Sequence, residues 1–298
     1  MLVDAANLYF RAFYALPESI TAPGGGPVNA IRGYLDMTAA LIERRRPTRH
    51  VACLDLDWRP AFRVALVPSY KAHRVAKDGT EDVPATLAPQ VPLLLEVLRA
   101  LGLATAGAAG FEADDVMATL AVRDSEPVAV VSGDRDMLAL ATARITVLYT
   151  GKGIAKLEAM GPAEVQAKYG VPAEFYPDFA VLRGDPSDGL PGVPGIGDKT
   201  AAALVSRFGA IESIVTAAET GDAGFPAGSK AKVLAAREYL MVAPAAVRGR
   251  TDVPIPELDD ALPAQAADVD GLAELAGLLG IENSVTRLQT AIARALAS

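Results

Sequence analysis

This sequence of 298 residues has very few side chains that bind soft metals or form disulfides: one cysteine, Cys53, and two histidines, His50 and His73. A single cysteine excludes an internal disulfide, and these side chains are too few for a structural zinc cluster. No run approaches the roughly 20 consecutive apolar residues of a membrane span. Asp4 interrupts the N-terminus too early for a secretion signal. We therefore expect a cytoplasmic protein, large enough for more than one domain.

The chain also lacks the excess of lysine and arginine that usually accompanies nucleic-acid binding, since its net charge is −8. The positions of the acids change that conclusion, because ten of them fall in the motifs described below. Without those ten acids, the rest of the chain carries a net charge of +2. If divalent cations fill an acidic pocket and the rest of the protein is near neutral or basic, the protein is compatible with a polyanionic substrate. The ten acids are Asp4, Asp55, Asp57, Glu112, Asp114, Asp115, Asp134, Asp136, Asp185 and Asp188.

Aspartates stand at the ends of three predicted buried strands, near residues 2–4, 50–55 and 128–132. In an open α/β sheet the carboxyl ends of parallel strands meet at one edge, where such folds bind ligands. We therefore expect the acids that follow these strands to converge. Asp55 is the favoured tip of the second strand, and Asp57, which would point to the same face, is the alternative.

Two further acidic motifs each have a structural interpretation beside the functional one. The acids of residues 112–115 begin a predicted helix, where they would satisfy the helix dipole. However, Glu112 and Asp115 are three residues apart and share a face, so that their repulsion requires either a bound cation or another compensating group. Asp185 and Asp188 share one tight loop, within reach of a hard cation. The alternative for this loop is an acidic turn that precedes a helix cap.

Glycines after this loop let backbone N–H groups approach a phosphate, and a helix is predicted to restart at Asp198. Lys199 lies in the first turn of that helix, where the dipole favours an anion. Lys230 and Lys232 either extend this phosphate track or are ordinary surface charges. The stretch therefore predicts contacts with a nucleic-acid backbone, through Gly192, Gly195, Gly197, Lys199, Lys230 and Lys232.

Residues 67–92 contain four prolines and a cluster of basic side chains, which is typical of an exposed excursion rather than a core element. Lys71 and Arg74, three residues apart, would share a helical face and clamp a phosphate. The alternative is a solvated basic loop.

An all-carboxylate set without histidine or cysteine ligands favours Mg²⁺ or Mn²⁺. Two such ions, about 4 Å apart, would orient a water and stabilise the leaving oxygen of a phosphodiester. Lys71, Arg74 and Arg11 would then hold the scissile phosphate.

Five motifs resemble, in order, those of the structure-specific 5′-nuclease (flap endonuclease) family, and especially the 5′-nuclease domain of bacterial repair DNA polymerases and its free-standing relatives. These motifs are Asp4–Asn7, Tyr70–Arg74, Glu112–Asp115, Ser132–Asp136 and Gly184–Gly192. The resemblance covers roughly residues 1–255, and its last two motifs are the most specific. Two features depart from the family pattern: Ala5 replaces a frequent glycine, and Asp55 competes with Asp57.

The resemblance implies an α/β fold with a mostly parallel twisted sheet flanked by helices (PIN-like). This nuclease core would span residues 1–160, with a helical arch at about 67–92. A helical half of the helix-hairpin-helix type would bind duplex DNA over 161–256, with its hairpin at 190–200. We expect a C-terminal helical extension at 257–298.

The resemblance also implies two metal sites, in which some acids act through water. Around the first site would lie Asp4, Asp55, Glu112, Asp114 and Asp115. Around the second would lie Asp134, Asp136, Asp185 and Asp188. Arg11, Lys71 and Arg74 would meet the substrate phosphate, and the hairpin at 190–200 would hold duplex DNA together with a K⁺ ion.

The function implied is that of a divalent-metal-dependent 5′ nuclease, which cuts 5′ flaps and trims 5′ ends of DNA in replication and repair. Its substrates would be branched or nicked duplexes and, in primer removal, RNA–DNA hybrids. We expect a free-standing, monomeric, nucleoid-associated enzyme that does not bind membranes. The alternatives are a non-catalytic branched-DNA-binding protein, which the intact acidic motifs disfavour, and a small PIN-type ribonuclease, which would not need the hairpin.

Overall fold

The protein is described here by a computed structural model, which covers residues 1–297. At its centre lies a single six-stranded sheet. The strands are β1 (Leu2–Asp4), β2 (Val51–Cys53), β3 (Ala104–Ala106), β4 (Val128–Ser132), β5 (Ile145–Tyr149) and β6 (Glu158–Met160). Their order in the sheet is β3-β2-β1-β4-β5-β6, and every neighbouring pair is parallel except β5 and β6.

The central strands β1, β2 and β4 are the three that the sequence predicts to end in acids. Leu2 of β1 pairs with Val51 of β2 on one side and with Val130 of β4 on the other. This parallel register brings the carboxyl ends of the three strands to one edge of the sheet. The short strands β3 and β6 are absent from the sequence prediction, because Ala104–Ala106 and Glu158–Met160 contain no run of large apolar residues that would mark a buried strand.

Helices cover both faces of the sheet. They are α1 (Ala5–Ala15), α2 (Asn29–Arg45), α3 (Ala61–Leu66), α4 (Gln90–Leu101), α5 (Ala113–Arg123), α6 (Pro162–Tyr169), α7 (Tyr176–Arg183), α8 (Asp198–Phe208), α9 (Ile211–Thr220), α10 (Ser229–Ala235), α11 (Arg237–Val247), α12 (Val269–Leu279) and α13 (Glu282–Leu296). Alternate strand residues enter different cores. Leu2 and Cys53 pack with α5 and the helices after β6, whereas Val3 and Ala52 pack with α2, α4, α12 and α13.

The last two helices return to the α/β half instead of extending the helical half. α13 packs along α2 and α12 along α4. Two ion pairs, Arg287–Asp36 and Arg294–Glu43, join α13 to α2 at their exposed rim. Among the described residues, no single helix is long and apolar enough to cross a membrane, and α8 and α9 reach that length only as a pair bent by 85°.

The excursion at residues 67–89 is a loop, which corrects the helical arch that the family resemblance implied. It contains only one 3₁₀ turn, Ala72–Arg74, and an isolated bridge between Val75 and Glu81 before α4 begins at Gln90. Its prolines cannot continue a helix, and the turn at Gly79 adopts a φ of 86°. The loop instead lies beside the carboxyl edge of the sheet.

Candidate active site

A cavity of about 750 Å³ opens at the carboxyl edge of the sheet, where β1, β2 and β4 end. Helices α1 and α5, the excursion at 67–89 and the loop after α7 contribute the rest of its wall. Its charged lining is therefore assembled from distant parts of the chain: Asp4, Arg11, Asp55, Lys71, Arg74, Glu81, Glu112, Asp114, Asp134 and Arg135.

Asp4 occupies the junction between β1 and α1. Its Oδ1 accepts a hydrogen bond of 2.9 Å from the N–H of Asn7 and caps the helix, and its Oδ2 accepts one of 2.8 Å from the hydroxyl of Ser132. Burial, followed by the charge of Asp55, raises the pKa of Asp4 to about 7. The capping position thus holds a carboxylate that is costly to ionise without a cation.

Asp134, which follows β4, is the common electrostatic neighbour of the other acids. Burial is the main cause of the raised pKa values of Asp114, Asp136 and Asp188, and in each case the charge of Asp134 is the next cause. The pKa of Asp188 reaches about 7. In addition, Oδ1 of Asp136 is buried without a hydrogen-bond partner. A divalent cation would relieve both the repulsion and the unpaired oxygen.

These acids are neighbours but are not arranged as a finished coordination sphere. Within residues 1–297, no three acidic, histidine or cysteine side chains are placed so that they could hold an ion as they stand. The donor set is nevertheless all oxygen, which suits Mg²⁺ or Mn²⁺. Cation binding therefore requires the carboxylates to draw together.

The loop that follows α7 joins the cavity from the helical half. Oδ1 of Asp185 accepts hydrogen bonds from the N–H and hydroxyl of Ser187, and its Oδ2 accepts from Arg135 at 2.8 Å and from Arg183 at 3.3 Å. Both oxygens are therefore already occupied. The backbone carbonyl of Asp188 accepts a hydrogen bond from the backbone N–H of Lys71, in the excursion at 67–89. This loop and the excursion are therefore in contact.

Asp115 does not reach the cavity, contrary to the prediction that it lies near a metal. It is fully buried and forms two hydrogen bonds of 2.7 Å with the guanidinium of Arg63. It also accepts from the backbone N–H groups of Glu112 and Arg250. Since all its acceptor directions face protein donors, Asp115 serves as an internal counter-ion.

Asp55 and Asp57 differ in their position relative to the cavity. Asp55 lines the cavity and accepts a hydrogen bond of 2.6 Å from the N–H of Ala113 at the start of α5. Asp57 lies outside the cavity lining and accepts instead from the N–H of Arg59. The tip of β2 therefore presents Asp55 and not Asp57.

All three predicted phosphate contacts lie at the cavity. Arg11, on α1, donates to the hydroxyl of Thr150 at 3.3 Å, and Arg74 donates to the carbonyl of Ser187 at 2.7 Å. Lys71 is buried with its ammonium against the carboxylate of Glu112. Burial is the largest single effect and alone would lower the pKa of Lys71, but the charges of the surrounding acids together outweigh it and raise the pKa; they are Glu112, Asp188, Asp114 and Asp55.

The hairpin after this loop has the glycine geometry that the sequence suggested. Gly192 has a φ of 68°, and a Cβ there would lie 2.5 Å from the backbone nitrogen of Gly184. The carbonyl of Gly195 accepts a hydrogen bond of 2.9 Å from Lys232, which joins α10 to the hairpin. The other predicted DNA contacts are exposed or half-exposed at the starts of α8 and α10: Gly197, Lys199 and Lys230.

Sequence reasoning missed three charged residues at or behind the cavity. Arg135 bridges to the loop after α7, and the side chain of Glu81 lines the cavity from the excursion with no hydrogen bond or ion pair to it among the described residues. Arg63 lies behind the cavity and is almost fully buried. Only Arg135 has a signal in the sequence, namely its position between Asp134 and Asp136. Glu81 and Arg63 are isolated charges, which show no periodicity.

Comparisons with known proteins place the chain in a family of enzymes. The family model for the N-terminal resolvase-like domain of 5′-3′ exonucleases matches residues 1–170, and the model for their C-terminal SAM fold matches 171–270. The chain is 50% identical to a 5′-3′ exonuclease of Mycobacterium tuberculosis, over 98% of this chain and 97% of that one. The chain belongs to the 5′-3′ exonuclease family. It is a structure-specific 5′ nuclease, a class of enzyme that acts in DNA replication and repair.

The likeness to repair polymerases is also confirmed. DNA polymerase I of Mycobacterium leprae is 39% identical over 99% of this chain, which corresponds to 32% of that protein. Among solved structures, a complex of the bacteriophage T5 flap endonuclease with DNA and metal ions matches with a TM-score of 0.63 and 17% identity, over 100% of this chain and 99% of that one. At this identity the likeness concerns the fold, and it confirms the predicted α/β class.

Proposed function

We propose that this nuclease hydrolyses DNA phosphodiesters with divalent cations, Mg²⁺ or Mn²⁺, bound in the cavity at the carboxyl edge of the sheet. The observation that carries the proposal is the gathering of buried carboxylates that raise one another's pKa around Asp134. Such a cluster is electrically tolerable at neutral pH when cations fill it. Bound cations would supply a hydroxide nucleophile and neutralise charge on the leaving oxygen.

The carboxylates are proposed to form two sites that share this cavity. The first would be held by Asp4, Asp55, Glu112 and Asp114. The second would be held by Asp134, Asp136 and Asp188, with Asp185 as the residue that orders the loop. Asp57 and Asp115 are left out of both sites, because Asp57 lies outside the cavity lining and accepts from the N–H of Arg59, and the oxygens of Asp115 all face protein donors. Asp136 and Asp188 also lie outside the lining but are kept, because the charge of Asp134 acts on both.

The substrate is proposed to be a duplex with a 5′ flap or a 5′ end, including an RNA–DNA hybrid. The T5 structure is a complex with DNA, and its fold is shared over the whole chain. In this proposal Arg11, Lys71 and Arg74 hold the scissile phosphate, while the hairpin at 190–200 holds the duplex, with K⁺ as a further ligand. Residues 1–160 would form the nuclease core and 161–256 the duplex-binding half, within a monomeric, cytoplasmic enzyme.

A labelled 5′-flap duplex tests this proposal. Incubation with Mg²⁺ or Mn²⁺ should release the flap, and excess chelator should stop the reaction, whereas full activity in chelator would refute the metal mechanism. A substitution in the acidic cluster, such as Asp134→Asn, should also stop the reaction. Asp252→Asn is its control and should not, because Asp252 is exposed and pairs only with Arg250 outside the cavity. Product length distinguishes flap cutting from end trimming, and a matched RNA flap measures the preference for DNA.

A further inference from the structure

Arg63, on α3, is a buried arginine whose whole guanidinium is engaged behind the nuclease cavity. Only 2% of its surface is exposed. Its Nη1 lies 2.5 Å from Oε2 of Glu112 and 2.7 Å from Oδ2 of Asp115, and its Nη2 lies 2.7 Å from Oδ1 of Asp115. Its Nε donates to the carbonyl of Ala246 at 2.8 Å. All three nitrogens of the guanidinium are therefore bonded within the protein, and four of its five N–H donors have a partner.

The charges of this cluster balance. Two buried carboxylates, those of Glu112 and Asp115, face two buried cations, Arg63 and Lys71. A buried charge is tolerated when it is paired and hydrogen-bonded, and here each carboxylate has at least two donors. The planar guanidinium binds Asp115 through both Nη atoms and also reaches Glu112. A lysine ammonium cannot make this two-atom contact.

The arrangement determines which oxygen Glu112 offers to the cavity. Arg63 and the hydroxyl of Tyr70, at 2.8 Å, both donate to Oε2 of Glu112. Oε1 is therefore the oxygen left toward the cavity, where Lys71 contacts it. Without Arg63, Oε2 would keep only the neutral donor of Tyr70, and Lys71 at Oε1 would be the only charged partner that orients the carboxylate.

Arg63 also joins the acid site to the helical half. Its bond to Ala246 reaches the end of α11, and Asp115 accepts from the backbone of Arg250 just beyond that helix. α3 and α11 pack directly against each other. One side chain thus connects α3, the start of α5 and α11.

We propose that Arg63 is a positioning residue of the nuclease: it holds Glu112 in the orientation that presents Oε1 both to Lys71 and to a bound cation. This inference rests on the proposed metal-dependent function. Carboxylates that bind metals generally depend on such neighbours, whose loss costs about 10–100-fold in metal affinity or activity. Arg63 contacts neither substrate nor cation and acts only through Glu112.

A purely structural role is the competing explanation, because Arg63→Ala would leave buried Asp115 without a cation and Glu112 with Lys71 alone. The double variant Arg63→Gln/Asp115→Asn removes the unpaired charge, since two neutral amides replace the ion pair while Glu112 loses one of its two cations. If Arg63 positions Glu112, kcat on a 5′-flap duplex should fall about 10–100-fold with KM within about threefold. Binding of Ca²⁺ alone, measured by calorimetry, should weaken by about tenfold, while Tm and the circular dichroism spectrum stay close to wild type.

Arg63→Lys supplies a second variant that keeps the charge, and it should recover stability without recovering kcat. Arg250→Ala is the matched control, because its side chain pairs with exposed Asp252 whereas its backbone N–H still reaches Asp115. Wild-type kcat and Ca²⁺ affinity in a folded double variant would overturn the inference, as would a loss confined to duplex binding. A wild-type enzyme that cleaves equally well in chelator would instead overturn the proposed function.

Discussion

Lys71 donates its ammonium to the carboxylate of Glu112 inside the cavity. A residue expected to hold the substrate phosphate is therefore paired with a residue expected to hold a cation. Lys71 adopts a left-handed backbone conformation, with a φ of 47°, and its N–H donates to the carbonyl of Asp188 at 2.9 Å. A cation bound at Oε1 of Glu112 would share that oxygen with Lys71 and leave the other N–H groups of the ammonium for the phosphate. Under the proposed function, the pair would link metal binding to substrate binding.

Lys71→Ala should lower kcat on a 5′-flap duplex by about 100-fold, because a charge-assisted contact to the reacting phosphate is lost. Affinity for the uncleaved duplex in Ca²⁺ should change by less than about threefold, since the proposed function assigns the duplex contacts to the hairpin at 190–200. Single-turnover kinetics and fluorescence anisotropy measure the two quantities separately. Lys77→Ala, on the same excursion but exposed, is the control. Equal losses in both assays would show that Lys71 is only a binding contact.

Asp134→Asn should abolish cleavage and yet stabilise the metal-free protein. The charge of Asp134 contributes to the raised pKa of Asp4, Asp114, Asp136 and Asp188, so its removal relieves repulsion. We expect a loss of about 1,000-fold or more in kcat, since several kcal/mol of charge stabilisation disappear. Tm in chelator should rise by a few degrees. A lower Tm, measured by calorimetry, would show that Asp134 is a structural partner and not the centre of repulsion.

The metal-free protein should lose stability as pH rises. The pKa of Asp4 and that of Asp188 stand at about 7 in the folded state, above the value of about 4 in an unfolded chain. Their protonation therefore stabilises the fold fully below about pH 4, and this contribution is lost as pH rises through 7. We expect Tm in chelator to fall by about 5 °C between pH 5 and pH 8.

Saturating Mg²⁺ should reduce this fall in Tm, because the cation replaces the protons. Asp4→Asn, measured in chelator, should also show a smaller fall than wild type. A Tm that is independent of pH in chelator, or that rises toward pH 8, would contradict the electrostatic description of the cavity.

Gly189→Ala should detach the acidic loop from the excursion at 67–89. Gly189 has a φ of 72°, and a Cβ there would lie 2.1 Å from the carbonyl oxygen of Ser69. The backbone must move, at a cost of about 2–4 kcal/mol in the free energy of unfolding, and cleavage should fall with it. Gly24→Ala is the control, since a Cβ there meets nothing within 4 Å. Urea titration of both variants measures the difference, and equal stabilities would refute the close approach.

Lys199→Ala should weaken duplex binding without changing the rate at saturating DNA. Lys199 is exposed in the first turn of α8, outside the cavity lining and available to a backbone phosphate. Loss of one phosphate contact should reduce the slope of log K against log salt by about 1. Anisotropy at several salt concentrations checks the slope. An unchanged slope would mean that Lys199 does not contact the phosphate backbone.

Several elements could be predicted because their local signals were strong. The helix predicted to restart at Asp198 begins there and ends at Phe208. The apolar run Val128–Ser132 is typical of a buried strand in a parallel sheet, and it is one. In contrast, the local pattern of the C-terminal extension does not show that it contains two helices, Val269–Leu279 and Glu282–Leu296, between which Gly280 turns the chain with a φ of 64°.

The sequence by itself determined the inventory of chemistry: an all-oxygen set of acids on strand ends, one glycine-rich hairpin and no soft ligands. Only the tertiary structure decided how these acids divide, because a carboxylate's role depends on what fills its acceptor directions. Asp114 faces the cavity, whereas Asp115, one residue later on α5, is turned inward to Arg63. Spacing along the chain cannot encode that difference, since the partner stands about fifty residues away and arrives only when the layers pack.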